Sequence, residues 1–230
     1  MRILAAHCQK ALCLVLLITL LVTPCLAEEL PEIQFRDTAF GTTIGQMRAE
    51  HNIDPWTYTR VYQGPGMDWY IEEAGFELAN IKNEDPVLME YVLDVKEAAG
   101  YDCSTYRYYV RPVKDGTLVT DDDQAQLFLG TYRLYAPSIE AAPDAVKDLI
   151  GKLSQLYGTP EVKEQYSPIK KESPSSVTGI WHGADDTAII LYWCDISNCI
   201  DLMYAWHGAQ PLLDAAYGYE QDHSNNFNGL

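Results

Sequence analysis

Thiols, imidazoles and clustered carboxylates are the chemistry-bearing side chains of this 230-residue chain. Cys194 and Cys199 have four residues between them. That is wider than the two-residue gap of a redox motif, but it suits the two ends of a hairpin loop. Cys103 stands apart. Paired with a distant histidine it would be a thiol nucleophile, although an oxidising compartment argues against a naked reactive thiol. His182 and His207 fall at or just beyond candidate strand ends. With Asp186 they have the residue types of a metal site, but sequence does not fix the face of His182, so they read as ordinary edge histidines. His51 and His223 have no partner pattern. Asp121-Asp122-Asp123 lacks the glycine and terminal glutamate of a calcium loop and reads as a solvated turn.

The familiar catalytic signatures do not occur. There is no phosphate loop, nucleophile elbow or His-Glu-x-x-His helix. Gly64-Pro65-Gly66 lacks the third glycine and the strand–helix setting of a dinucleotide site. No catalytic residue, cofactor or metal ligand is therefore assigned. The tyrosines and tryptophans could line a carbohydrate or peptide groove, though core packing accounts for most of them.

Compartment is the clearest reading. Met1 to Lys10 carries Arg2 and Lys10 and no acid, Ala11 to Val22 is almost wholly apolar, and Pro24-Cys25-Leu26-Ala27 offers small residues for cleavage before Glu28. This order is that of a secretory signal peptide over 1–27, with an apolar core too short for a comfortable membrane span. The expectation is a secreted or periplasmic protein, at the exterior of the cell envelope, with no stable membrane insertion after cleavage. Pro24 precedes Cys25 where a lipid-attachment signal wants a small residue. Cys8, Cys13 and Cys25 leave with the signal, so Cys103, Cys194 and Cys199 remain.

The net charge is −17, and loss of Arg2 and Lys10 would leave 14 basic residues against 33 acidic ones, a net −19. Such a surface repels phosphate backbones and anionic headgroups, which removes nucleic acid from the expected partners. Hydrophobic content of 47% is enough to build a core, and 16 Tyr with 5 Trp favour a pleated, half-buried surface.

The elements follow from local signals. Thr43 and Gln46 form a capping box, with Ile44, Met47 and His51 on one helical face. Strand patterns cover Tyr58 to Tyr62, Phe76 to Ile81, Leu88 to Val95, Thr105 to Val113 and Ala125 to Tyr135, with a turn at Lys114-Asp115-Gly116. Ala136 to Pro143 is the best internal boundary. Val146, Leu149, Ile150, Leu153, Leu156 and Tyr157 recur at helical spacing, with Gly158 as cap and Pro160 as stop. Glu161 to Ser176 reads as an exposed loop. Strands are expected at Val177 to His182, Thr187 to Cys194 and Cys199 to Trp206, then a short helix at Pro211 to Ala216.

The last hairpin fixes its own register. With Cys194 opposite Cys199, Trp193 pairs with Ile200, Leu191 with Leu202, Ile189 with Tyr204 and Thr187 with Trp206. All the bulky side chains then share one face, which a one-residue slip would break. Opposed cysteines in an extracytoplasmic hairpin can reach disulfide geometry, so a Cys194–Cys199 bridge is expected. Leu149, Leu153 and Leu156 are expected to cover the bulky face.

Phe40-Gly41-Thr42-Thr43 opening a helix, the helix ending Leu156-Tyr157-Gly158-Thr159-Pro160, and Trp181-His182-Gly183-Ala184-Asp185-Asp186-Thr187 leading into an apolar strand together resemble an uncharacterised family of secreted bacterial proteins. The plan is also similar to the β-lactamase-inhibitor-protein-like and small outer-membrane-assembly lipoprotein folds. The resemblance implies a non-enzymatic α+β domain and carries over no catalytic residue. The expectation is an α+β protein of two helix-plus-antiparallel-sheet halves, residues 28–138 and 139–217, with helices on one sheet face and a polar tail over 218–230. Its expected role is non-catalytic binding of a protein, peptide or envelope component. The alternatives are an envelope hydrolase using carboxylates that sequence cannot pair, and an inhibitor of a secreted enzyme.

Overall fold

The computed structural model describes residues 30–51, 58–62, 68–78, 86–92, 95–166 and 174–224. The expected leader over 1–27, the Gly64-Pro65-Gly66 run and residues 225–230 lie outside the described residues. The class is α+β, with a mostly antiparallel sheet and a few helices.

Thr43 starts helix α1 (Ile44–His51) by a reciprocal cap. The Gln46 amide donates to Thr43 Oγ1 at 3.2 Å and the Thr43 amide to Gln46 Oε1 at 2.9 Å. Strand β1 (Tyr58–Tyr62), helix α2 (Asp68–Glu73), β2 (Val87–Val92), β3 (Glu97–Ala98) and β4 (Tyr101–Val110) follow. The small ribbon β5 (Val113–Lys114) and β6 (Thr117–Leu118) turns through Asp115 and Gly116, both at positive φ, as a two-residue primed turn requires. Then come β7 (Gln126–Tyr135), α3 (Ala142–Tyr157), β8 (Glu161–Tyr166), β9 (Pro174–His182), β10 (Thr187–Cys194), β11 (Cys199–Trp206) and α4 (Gln210–Ser224).

One nine-stranded sheet runs β1-β2-β4-β7-β11-β10-β9-β8, with β3 beside the start of β4. β7 and β11, far apart in the chain, pair at the centre of the sheet, with Tyr132 on Leu202 and Arg133 on Asp201. The β10–β11 register is the one read from the hairpin, with Trp193 on Ile200 and Thr187 on Trp206.

Alternation assigns two faces. The first carries Leu134, Leu191, Trp193, Ile200 and Leu202, on which α3 buries Val146, Leu149 and Leu153. On the same face α1 sets Ile44 and Met47 against Leu88, Tyr109 and Leu127. The second face carries Met89, Tyr108, Ile190, Met203 and Ala205, and it is covered by Ile71 and Ala74 of the α2 region and by Leu213, Ala216 and Tyr217 of α4.

Helices on a single face were the expectation, and this is corrected. Ile190, Met203, Ala188 and Ala205 make the second face of the central strands apolar too, so both faces must be covered. Leu156 is also corrected. It is 72% exposed, although the helix end itself is tied to the first face, where Tyr157 packs and the Gly158 carbonyl accepts from Trp181 Nε1 at 3.0 Å. Glu161–Tyr166 is an edge strand, not a loop. All six residues are exposed, and its charges protect the edge while hiding the strand pattern. The expected tail from 218 is helical as far as Ser224, since docking of Leu213, Ala216 and Tyr217 carries the helix past Gly218. Residues 76–78 are not a strand. There Gln210 clamps Glu77, accepting from its amide at 3.0 Å and donating to its carbonyl at 2.8 Å.

Candidate functional site

Burial and turn geometry account for most of the chemistry-bearing residues singled out in the sequence. Cys103 is buried on the first face opposite Leu134, and burial raises its thiol pKa, which works against a reactive thiolate. Asp185 and Asp186 are the central residues of a primed turn, both at positive φ, closed by Thr187 N–H to Ala184 O at 3.1 Å. His182 is exposed. The His207 ring is committed elsewhere, with Nε2 2.8 Å from the Ala74 carbonyl and an edge contact to Phe76 at 5.2 Å. Asp122 and Asp123 are held by Arg111 and Arg48 respectively. Among the described residues no cluster of three or more His, Cys, Asp or Glu is placed to hold a metal.

Cys194 and Cys199 are half-buried free thiols. The Trp193–Ile200 pair puts them opposite each other one step further along the ladder, on the second face. Their loop is tied down. Trp193 Nε1 donates to Ser197 O at 2.9 Å, and the Cys199 amide donates to Ser197 Oγ at 2.9 Å.

These cysteines border a surface that sequence reading missed. A row of side chains crosses six strands of the second face: Ser104, Arg133, Asp201, Tyr192, Thr178 and Lys163, each opposite the next. At its centre Arg133 grips Asp201 with two donors, Nε at 2.9 Å and Nη2 at 3.3 Å. The guanidinium also stacks over Tyr70, 4.7 Å from the ring centre. Tyr135 and Ser104 share a hydroxyl–hydroxyl bond of 3.0 Å, and Tyr91 packs on Tyr106 with ring centres 5.3 Å apart. Burial pushes the Asp201 carboxyl up, against the opposing pull of Arg133. Tyr91, Tyr106, Tyr135, Tyr192 and Arg133 are half-buried, so each keeps part of its side chain at the surface of this floor, while Tyr70 is buried.

Compared with protein-family models, curated proteins and solved structures, the chain matches none. The floor must therefore be judged on its own chemistry. It offers aromatic area, hydroxyls and one neutralised ion pair. It suits contact with another surface better than attack on a bond. The missed signal is the alternation of β7, in which Thr131, Arg133 and Tyr135 share one face.

A second concavity lies on the first face, beside the C-terminal half of α3. It encloses about 660 Å³, inside the range of roughly 300–1,000 Å³ usual for small-molecule sites. Leu149, Leu153 and Leu202 form its apolar base, and Tyr132, Tyr157 and Tyr204 line it. Arg36, Glu97 and Lys152 stand around it. One wall is latched, because Lys152 Nζ reaches the Ala99 carbonyl at 2.9 Å and Asp148 at 2.7 Å. Tyr101 donates to the same Asp148 at 2.9 Å.

Proposed function

We propose that this protein is a non-catalytic binding module that works outside the cytoplasm and engages a protein or peptide through the second sheet face. The observation that carries the reading is the half-buried tyrosine floor around the Arg133–Asp201 pair. Tyr and Arg are the residue types that dominate recognition energy at protein interfaces, and an ion pair already satisfied within its own chain adds little desolvation penalty on binding. The signal-like residues 1–27 support the compartment. Among the described residues no helix is long and apolar enough to cross a membrane.

The finer architecture belongs to the same reading. Each half contributes a helix followed by antiparallel strands, β1-β2-β4-β7 from the first and β8 to β11 from the second. We read them as two equivalent units that meet edge to edge at β7 and β11, which puts the floor across their junction.

Photo-crosslinking tests the proposal. A crosslinker at position 106 or 135 should give a discrete adduct with one envelope or secreted protein, and position 162 on the opposite face should not. Arg133→Ala with Tyr135→Ala should remove the adduct while the circular dichroism spectrum stays native. Equal labelling from both faces, or turnover of an envelope polymer by the purified chain, would overturn it.

A further inference from the structure

The first-face cleft has a different character from the floor. Its base is apolar and built from α3 and β11, with Leu149 and Leu202 buried and Leu156 among its lining residues at 72% exposure. Three tyrosines line it, and within the described residues the hydroxyls of Tyr132, Tyr157 and Tyr204 make no hydrogen bond. Tyr132 and Tyr204 pack edge to face with ring centres 6.0 Å apart. Burial raises the pKa of both, so each keeps its proton at neutral pH and remains a donor.

Arg36 supplies the charge. It sits in a tight turn at positive φ, between Phe35 and the Thr38 amide that donates to Phe35 O at 3.1 Å. Phe35 anchors this turn by packing between Tyr132 and Tyr204, at 5.0 and 5.6 Å. Arg36 makes no ion pair or hydrogen bond with the described residues, although the chain carries 33 acids against 16 bases. Lys152 is already held by Asp148 and Ala99. The cleft thus joins an apolar base to one unclaimed cation and neutral donors, and Glu97 at its rim disfavours a dianion.

We propose that this cleft binds a single-chain amphiphile bearing a monoanionic carboxylate, with the chain on Leu149, Leu153, Leu156 and Leu202 and the carboxylate at Arg36. The proposal does not rest on the second-face reading, because the two surfaces lie on opposite faces of the sheet.

Calorimetric titration of the chain with dodecanoate, dodecanol, dodecyl phosphate and acetate tests it. Dodecanoate should bind one per chain. Dodecanol should bind more weakly by about tenfold or more, the value of a charged hydrogen bond, and acetate should give no measurable heat. Arg36→Ala should bring dodecanoate down to the dodecanol level and leave dodecanol unchanged. Leu156→Ser, at an exposed position that folding does not need, should weaken both. Four outcomes would overturn the proposal: no saturable dodecanoate binding, equal binding of dodecanol, tighter binding of dodecyl phosphate, or dodecanoate binding that neither substitution alters.

Discussion

Phe35 lies on the bare backbone of Gly130, so closely that a β-carbon at position 130 would stand 2.1 Å from the ring. The missing side chain in β7 makes the seat for Phe35, which is completely buried. That seat in turn holds the Arg36 turn beside the cleft.

Gly130→Ala should therefore destabilise the fold by about 1–3 kcal/mol, the usual penalty for overpacking. Phe35→Ala should cost about 3–5 kcal/mol. The two share one space, so the double variant should lose clearly less than the sum of the singles. Urea melts of all four proteins would measure this, and strict additivity would show that the ring is not seated on Gly130.

Position along α3 should separate its leucines. Leu153 is buried against the first face, so Leu153→Ala should cost about 2–5 kcal/mol. Leu156→Ala should change stability by less than about 0.5 kcal/mol, as expected for an exposed side chain. Thermal melts would decide, and equal losses at both positions would place the Leu156 side chain in the core.

Asp201 should leave a signature in pH dependence. Burial raises its folded pKa above the usual value near 3.8, so the folded state holds the proton more tightly than the unfolded chain. Its contribution to stability is fully present below about pH 3.8 and is lost as pH rises through the raised value. Wild type should thus lose stability relative to Asp201→Asn as pH rises from below about 3.8. Parallel urea melts across that range would show it, and a gap moving the opposite way would mean that Arg133 outweighs burial.

The hairpin thiols make a covalent prediction. Protein recovered from an oxidising compartment should yield a Cys194–Cys199 peptide pair on non-reducing mapping, with Cys103 free. The closed loop is short, so reduction should cost only about 2 kcal/mol. A bridge from Cys103 to either partner is incompatible with the fold, because Cys103 is buried on the first face and the hairpin thiols lie on the second.

Local physics was legible in the chain. The Thr43–Gln46 cap, the Asp115-Gly116 turn, the Pro143-to-Gly158 span of α3 and the β10–β11 register each depend on residues within a few positions or on one hairpin. There, spacing and side-chain type leave one low-energy answer. Sequence also determined the composition that makes an α+β core possible, and the apolar stripe of α3. It did not reveal β8, whose charges imitate a loop because an edge strand satisfies only one side of its backbone. Nor did it reveal that α4 extends past Gly218, since long-range docking overrides weak helix propensity.

Both candidate sites were decided by tertiary structure alone. The floor exists because β7 and β11, distant in sequence, align Arg133 with Asp201 and carry the row on to Ser104 and Tyr192. The cleft exists because α3, β7 and β11, with the residues around Ala98, converge on the first face, where Leu156 is exposed and Tyr132, Tyr157 and Tyr204 make no hydrogen bond among the described residues. A residue's own neighbours in sequence set its local conformation. Which side chains converge is set by strand order, and strand order is fixed by the burial of both sheet faces at once.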